Sequence, residues 1–179
     1  MMEDIVPLGG RVWWSLLAVL GLSRGADLFS TWVATPSLLL EANPIARWLG
    51  WRWAIPLNVA ISVGFAFFPL PAIILGTTSA LVASRNFQQA WLMRSYGEEN
   101  YRDWQVQRIQ ETPLRLFLGC LGLQNLLVGG IGLALAWSSM VGNEILIIPF
   151  GIGVGIVAYA VTVTFYSLLA VRGIRRAMV

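Results

Sequence analysis

The chain has 179 residues, of which 57% are hydrophobic and only 12% charged, with a mean hydropathy of +0.70. Soluble domains carry about 25% charged residues, so this composition cannot cover a water-facing surface and makes lipid the solvent. The net charge of +3 comes entirely from arginine, histidine is absent, and Cys120 is the lone cysteine. These facts exclude His-ligated haem or zinc, a Ser-His-Asp triad, an internal disulfide and a cysteine-rich metal site.

The chain opens on MMEDIVPLGGR, acidic rather than basic, and no small-residue cleavage site follows. The first apolar segment, about 12–34, is therefore expected to be a retained helix, long enough for a hydrocarbon core of about 30 Å. It carries Arg24, Asp27 and Thr31 at i, i+3 and i+7, one stripe of a helix. Ionisable groups inside a span are costly and mark a candidate site by default. Two readings apply. In one, Arg24 and Asp27 form an internal strut that neutralises both charges. In the other, Asp27 is a working carboxylate tuned by Arg24.

The loop that follows holds Pro36, Glu41, Asn43 and Pro44, and Asn43-Pro44 starts a turn. Asp27, Thr31, Glu41 and Asn43 all offer oxygen ligands, which suit a hard cation. They are expected to converge at the outer end of the first span, with Arg24 one turn deeper. If a metal ion binds, Asp27 and Glu41 are its charged ligands; no other cofactor is expected.

The second apolar segment runs over about 53–83, longer than one crossing needs, with Pro69 and Pro71 in its middle. It is either one kinked span or two half-helices; the single span is preferred. Residues 84–113 mix arginine and glutamate with Phe87, Trp91, Tyr96, Tyr101 and Trp104, and contain Gly97. This pattern predicts an amphipathic segment at the cytoplasmic surface, broken near Gly97. Within it, Glu98-Glu99-Asn100-Tyr101-Arg102 is one residue short of the Glu-Glu-x-x-x-Arg signature of intramembrane prenyl-protein proteases. Tyr96 to Arg102 likewise only approximates a motif of membrane methyltransferases, which also carry histidine.

The third and fourth spans are expected at about 114–137 and 145–170, the last followed by Arg172, Arg175 and Arg176. The arginine-rich middle segment and tail belong on the cytoplasmic side by the positive-inside rule. Four spans then put both termini inside and the Glu41 loop outside; if 53–83 crosses twice, the amino terminus moves out and the loop moves in. Asn58, Gln124 and Asn125 are candidates for a polar core facing the Arg24–Asp27 stripe, or for interhelical packing bonds. Gly119, Gly122, Gly129, Gly130 and Gly132, with Gly151, Gly153 and Gly155, suit close packing within the bundle or a seam to a second copy or a larger complex. Trp13, Trp14, Trp48, Trp51, Trp53 and Trp137 are expected as an interfacial belt.

Asp27-x-x-x-Thr31 followed by Glu41-x-Asn43-Pro44 resembles the opening of a family of small prokaryotic multi-span membrane proteins without an assigned activity. That family often has a lysine in its second span, near where Asn58 stands here. The resemblance covers about the first 60 residues and implies that the four positions belong together.

The expectation is thus an all-α bundle of about four transmembrane helices in one domain, in a prokaryotic inner membrane, with lipid around it and no nucleic-acid partner. The leading function is cation or small-solute binding or transport. A structural subunit of a larger membrane complex is the alternative, and a lipid-modifying enzyme lacking histidine ranks third.

Overall fold

The structure is a computed structural model that describes residues 5–142 and 144–176. Among the described residues the regular structure is entirely helical: α1 (Arg11–Ala34), α2 (Pro44–Phe65), α3 (Pro69–Tyr96), α4 (Glu98–Glu111), α5 (Leu114–Ser138) and α6 (Ile147–Arg176). Three of these, α1, α5 and α6, are long and apolar enough to cross a membrane.

The expected segment 53–83 is not one unit. Its helix starts earlier, at Pro44, bends at Gly50 (φ 61°) and stops at Phe65; a second helix starts at Pro69. Proline explains the break. Pro69 sits in the first turn of α3, where its missing N–H costs nothing, and it holds Phe68 in an extended conformation (φ −125°, ψ 101°). Pro56, by contrast, lies inside α2. The segment 84–113 is also divided differently: residues 84–96 continue α3 without a break, and only α4 stands apart. Gly97, at φ 78°, makes the corner between them, a conformation that suits glycine.

Contacts between α1 and α3 keep one register along their length. Val6 N–H donates to Phe67 O at 3.0 Å, Arg24 Nη1 to Ser79 Oγ at 3.2 Å, and Asn86 Nδ2 to Thr31 Oγ1 at 3.2 Å. The two helices therefore run parallel. Thr78 Oγ1 donates to Gly155 O at 3.1 Å, and Gly151 lies over Leu70 and Ile73, so α6 is parallel to α3 as well. Asn125 Nδ2 meets Thr164 Oγ1 at 2.8 Å while Gly132 faces Gly153, which makes α5 antiparallel to α6. The start of α1 and the end of α6 accordingly lie at opposite ends of the bundle. The 35–43 loop, the α3–α4 corner and the end of α6 share the other end.

The packed order is α2–α1–α3–α6–α5, with α2 touching α1 and α3 only lightly. No packed interface between α2 and α5 closes this horseshoe among the described residues. Small residues set the close approaches. On α3, Ala72, Gly76, Ser79 and Ala83 are buried. A Cβ on Gly153 would lie 2.6 Å from Ala136 N, one on Gly132 2.7 Å from Gly153 O, and one on Gly155 2.7 Å from Thr77 Cβ. These glycines serve contacts inside the bundle, whereas Gly119, Gly122 and Gly130 face open space. At the end near the start of α1, Trp13 is buried at 5% exposure beside Phe67, with Leu20, Ala66 and Ala72 in the same cluster. Trp13 is thus a core residue and not part of an interfacial belt; Trp48 and Trp137 are exposed, at 84% and 74%.

Gly153→Ala should lower stability by about 1–3 kcal/mol, because the added methyl meets backbone atoms that cannot rotate away. Gly122→Ala, in open helix surface, should be neutral or stabilising by up to about 1 kcal/mol. Thermal unfolding of the two variants in one detergent checks the contrast.

Candidate functional site

Inside the horseshoe lies a cavity of about 980 Å³, walled by α1, α2, α3, α5 and α6 and roofed by α4 and the 35–43 loop. Arg24, Asp27, Thr31, Glu41 and Asn43 all line it, as do Asn58 and Gln124. Asn125 does not. It is buried at 9% exposure and its amide is held by Thr164, so it ties α5 to α6.

The lining residues differ in what they offer. Arg24 Nη1 lies 3.8 Å from Asp27 Oδ2 and also donates to Ser79, while Arg24 Nε is buried with no partner among the described residues. The Asp27 carboxylate keeps room toward the cavity. Thr31 is not a spare ligand, because its hydroxyl accepts from Asn86, which also reaches Ser30 Oγ at 3.3 Å. Glu41 and Asn43 mostly serve the loop. Glu41 Oε1 accepts from Asn43 N–H at 2.8 Å, and Asn43 Oδ1 caps α2 by accepting from Ile45 N–H at 3.0 Å. Asn58 donates to Ala54 O at 2.7 Å within its own helix. No group of three His, Cys, Asp or Glu side chains comes together among the described residues. Asp27 and Glu41 therefore bring two carboxylates to a cavity that Arg24, Arg85 and Arg108 also line. That balance suits an anion or a zwitterion better than a bare divalent cation.

The wall made by α1 and α3 is polar, with Asp27, Ser79, Arg85, Asn86 and Gln89. The wall made by α5 and α6 is mainly apolar, with Leu116, Phe117, Leu121, Val163 and Val171. Cys120 lies on this second wall.

The roof is pinned at both ends. At the start of α4, Glu98 Oε2 accepts from Thr35 Oγ1 at 2.6 Å and from Ser37 Oγ, and Glu98 Oε1 accepts from Ser37 N–H at 3.2 Å. Burial by itself pushes this carboxyl up, but the Ser37 and Thr35 hydrogen bonds outweigh it and hold the group below the ordinary carboxylate value. At the other end, Arg175 Nη2 donates to Ile109 O at 3.0 Å and Thr112 O at 2.6 Å, satisfying the last carbonyls of α4. Trp51 Nε1 donates to Pro36 O at 2.8 Å and fastens the start of α2 to the same loop. Tyr101, buried at 5% exposure on the underside of α4, has its phenol pushed up by burial against the opposing effect of Arg85. It stays protonated and can donate at neutral pH.

Arg85, Gln89, Tyr101, Gln105 and the roof-pinning pair Glu98 and Arg175 have no motif to announce them. A weak sign is present: Arg85 and Gln89, like Tyr101 and Gln105, stand four residues apart and so share a helix face. Nothing in the sequence places those two faces opposite each other. Comparison with known protein families, curated proteins and solved structures gives no match.

Two measurements follow from this geometry. The Glu98 contribution to stability should be complete above the ordinary carboxylate range and fall away as pH drops through the lowered value of the folded state. Glu98→Gln should flatten that acid limb in a pH series of melting temperatures. For the ion pair, Asp27→Leu alone leaves Arg24 uncompensated and should destabilise more than the double change Arg24→Leu with Asp27→Leu. A double variant less stable than the single one would show that the two side chains do not act as a pair.

Proposed function

We propose that this is a small integral membrane protein that binds a small charged or amphipathic molecule within the bilayer, and that any transport it performs passes through this site. The observation that carries the reading is the cavity itself. About 980 Å³ is room for a solute of lipid-headgroup or drug size. Its polar wall collects Arg24, Asp27 and Asn86 at a depth where such groups are costly unless used. The bare-cation form of the idea is disfavoured by the arginines that share the lining. The likeness of Asp27, Thr31, Glu41 and Asn43 to a family pattern fits a common role for this end of α1 and its loop.

In this reading α2 and α3 also cross the bilayer, and α3 is shielded by α1 and α6 despite its polar residues. Arginines at the start of α2, in α4, at the start of α5 and at the end of α6 gather at one end of the bundle; Arg11 and Glu144 are the described charges near the other. The positive-inside rule then makes the α4 end cytoplasmic, with the start of α1 outside and the end of α6 inside.

With Cys120 replaced by Ser, single cysteines at Leu8 and Arg176 should label from opposite sides of sealed vesicles. Labelling from one side would return the topology to four crossings. In the native chain, Cys120 should react with N-ethylmaleimide, and Leu28→Trp, which fills the cavity, should slow that reaction several-fold. An unchanged rate in a folded Leu28→Trp protein would count against an open binding cavity.

A further inference from the structure

The charged groups lining the cavity are mostly compensated. Arg24 has Asp27 at 3.8 Å, Arg108 has Glu111 at 3.0 Å, and Glu41 accepts from the backbone of Asn43. Arg85 is the lining cation with no ion-pair partner among the described residues, and it is half-buried. Gln89 stands one turn further along the same face of α3. Tyr101 lines the same cavity from α4, and Gln105 stands one turn beyond it on that helix. All four line the cavity, all four carry N–H or O–H donors, and none of these side chains donates to another described residue. Four side chains with unused donors, one of them an uncompensated positive charge, lining one cavity from α3 and from the roof helix α4, are the pattern of an anion receptor.

The surroundings narrow the ligand. The donors sit at the α4 end. Below and across from them the α5 and α6 wall is mainly apolar, with Phe117, Leu121 and Val163 beside Gln124, Thr162, Tyr166 and Ser167, and no packed interface of α2 with α5 closes that side among the described residues. A free anion would use the donors and leave the apolar wall and the side opening without a role. An amphiphile uses all three.

We propose that Arg85, Gln89, Tyr101 and Gln105 bind the anionic headgroup of a membrane amphiphile, a phosphate ester or carboxylate, whose apolar chain lies along α5 and α6 and enters between α2 and α5. This rests on the cavity-binding function above and names its ligand class. The guanidinium supplies charge and paired N–H groups. The phenol and the two amides complete the shell around the anionic oxygens, and α4 excludes water from above.

The test uses the full chain in a nonionic detergent and reads protection of Cys120 from N-ethylmaleimide. The probes are dioctanoyl phosphatidate, dioctanoylglycerol and inorganic phosphate. Phosphatidate should protect at a concentration at least about tenfold below that of dioctanoylglycerol, and Arg85→Gln should erase that advantage, since a charged hydrogen bond of this kind is worth about a factor of ten or more. Arg176→Gln, exposed at the end of α6, should keep it. Tyr101→Phe, which removes one hydroxyl and preserves the ring, should weaken phosphatidate severalfold and supplies the answer if Arg85→Gln does not fold. Equal protection by inorganic phosphate would overturn the amphiphile assignment. Equal loss in Arg85→Gln and Arg176→Gln would reduce the effect to general surface charge and overturn the site. Protection by phosphatidate that ignores both Arg85→Gln and Tyr101→Phe would refute the headgroup assignment while leaving the cavity function standing. A Cys120 that no probe protects would remove the cavity function itself.

Discussion

Close contact of α3 with helices on both sides is the constraint from which the rest of the molecule follows. Helices that cross a membrane have no hydrophobic drive to associate and are held by packing and by hydrogen bonds between them. Here both are concentrated on α3. Its small residues Ala72, Gly76, Ser79 and Ala83 let α1 approach, and the glycines of α6 at 151 and 155 approach its other side. Thr78 bonds to the Gly155 carbonyl and Ser79 to the Arg24 guanidinium, so each flank has a polar tie as well as a steric one.

Because α1, α3 and α6 are parallel, their connections must return by way of α2 and α5, and these two sit at the rims of the horseshoe. The rims are not equal. α5 is locked to α6 by interleaved glycines at 132 and 153 and by Asn125, while α2 is held to its neighbours lightly, mostly through the 35–43 loop and Trp51. The cavity lies between the two rims, which share no packed interface among the described residues. Its roof is a short, highly polar helix that could not stand alone. A carboxylate on hydroxyl groups holds one end and a guanidinium on carbonyl oxygens the other.

The same arrangement gives the polar residues between the helices their partners. Across the α1–α3 seam Arg24 donates to Ser79 and Asn86 donates to Ser30 and Thr31, while Arg85, Gln89, Tyr101 and Gln105, which donate to no other described residue, line the cavity. The Arg24–Asp27 pair and the unpaired donors line different parts of one cavity, so a strut and a ligand site, which look like alternatives when Arg24 and Asp27 are considered alone, do not exclude each other. The pair braces the deep end, and the unpaired donors lie nearer the roof.

Composition by itself pointed to a membrane protein, because so few charges cannot cover a water-facing surface, and three helices long and apolar enough to cross a membrane agree with it. The Arg24–Asp27–Thr31 stripe was legible for the same reason: helix periodicity is local, and a charge in an apolar run is conspicuous. The Gly97 corner was legible because glycine marks it. The division at Pro69 was only half legible, since a proline can kink a helix or begin one, and the choice rests on what packs around it. The use of Asn125 as a tie, the employment of Thr31 by Asn86, and the presence of Arg85 and Tyr101 in the lining of one cavity were decided by tertiary structure alone. They depend on the register and direction of helices far apart in sequence, set by side-chain fit at Gly76, Gly132, Gly153 and Gly155, and no pattern along a single helix encodes which neighbour it will face.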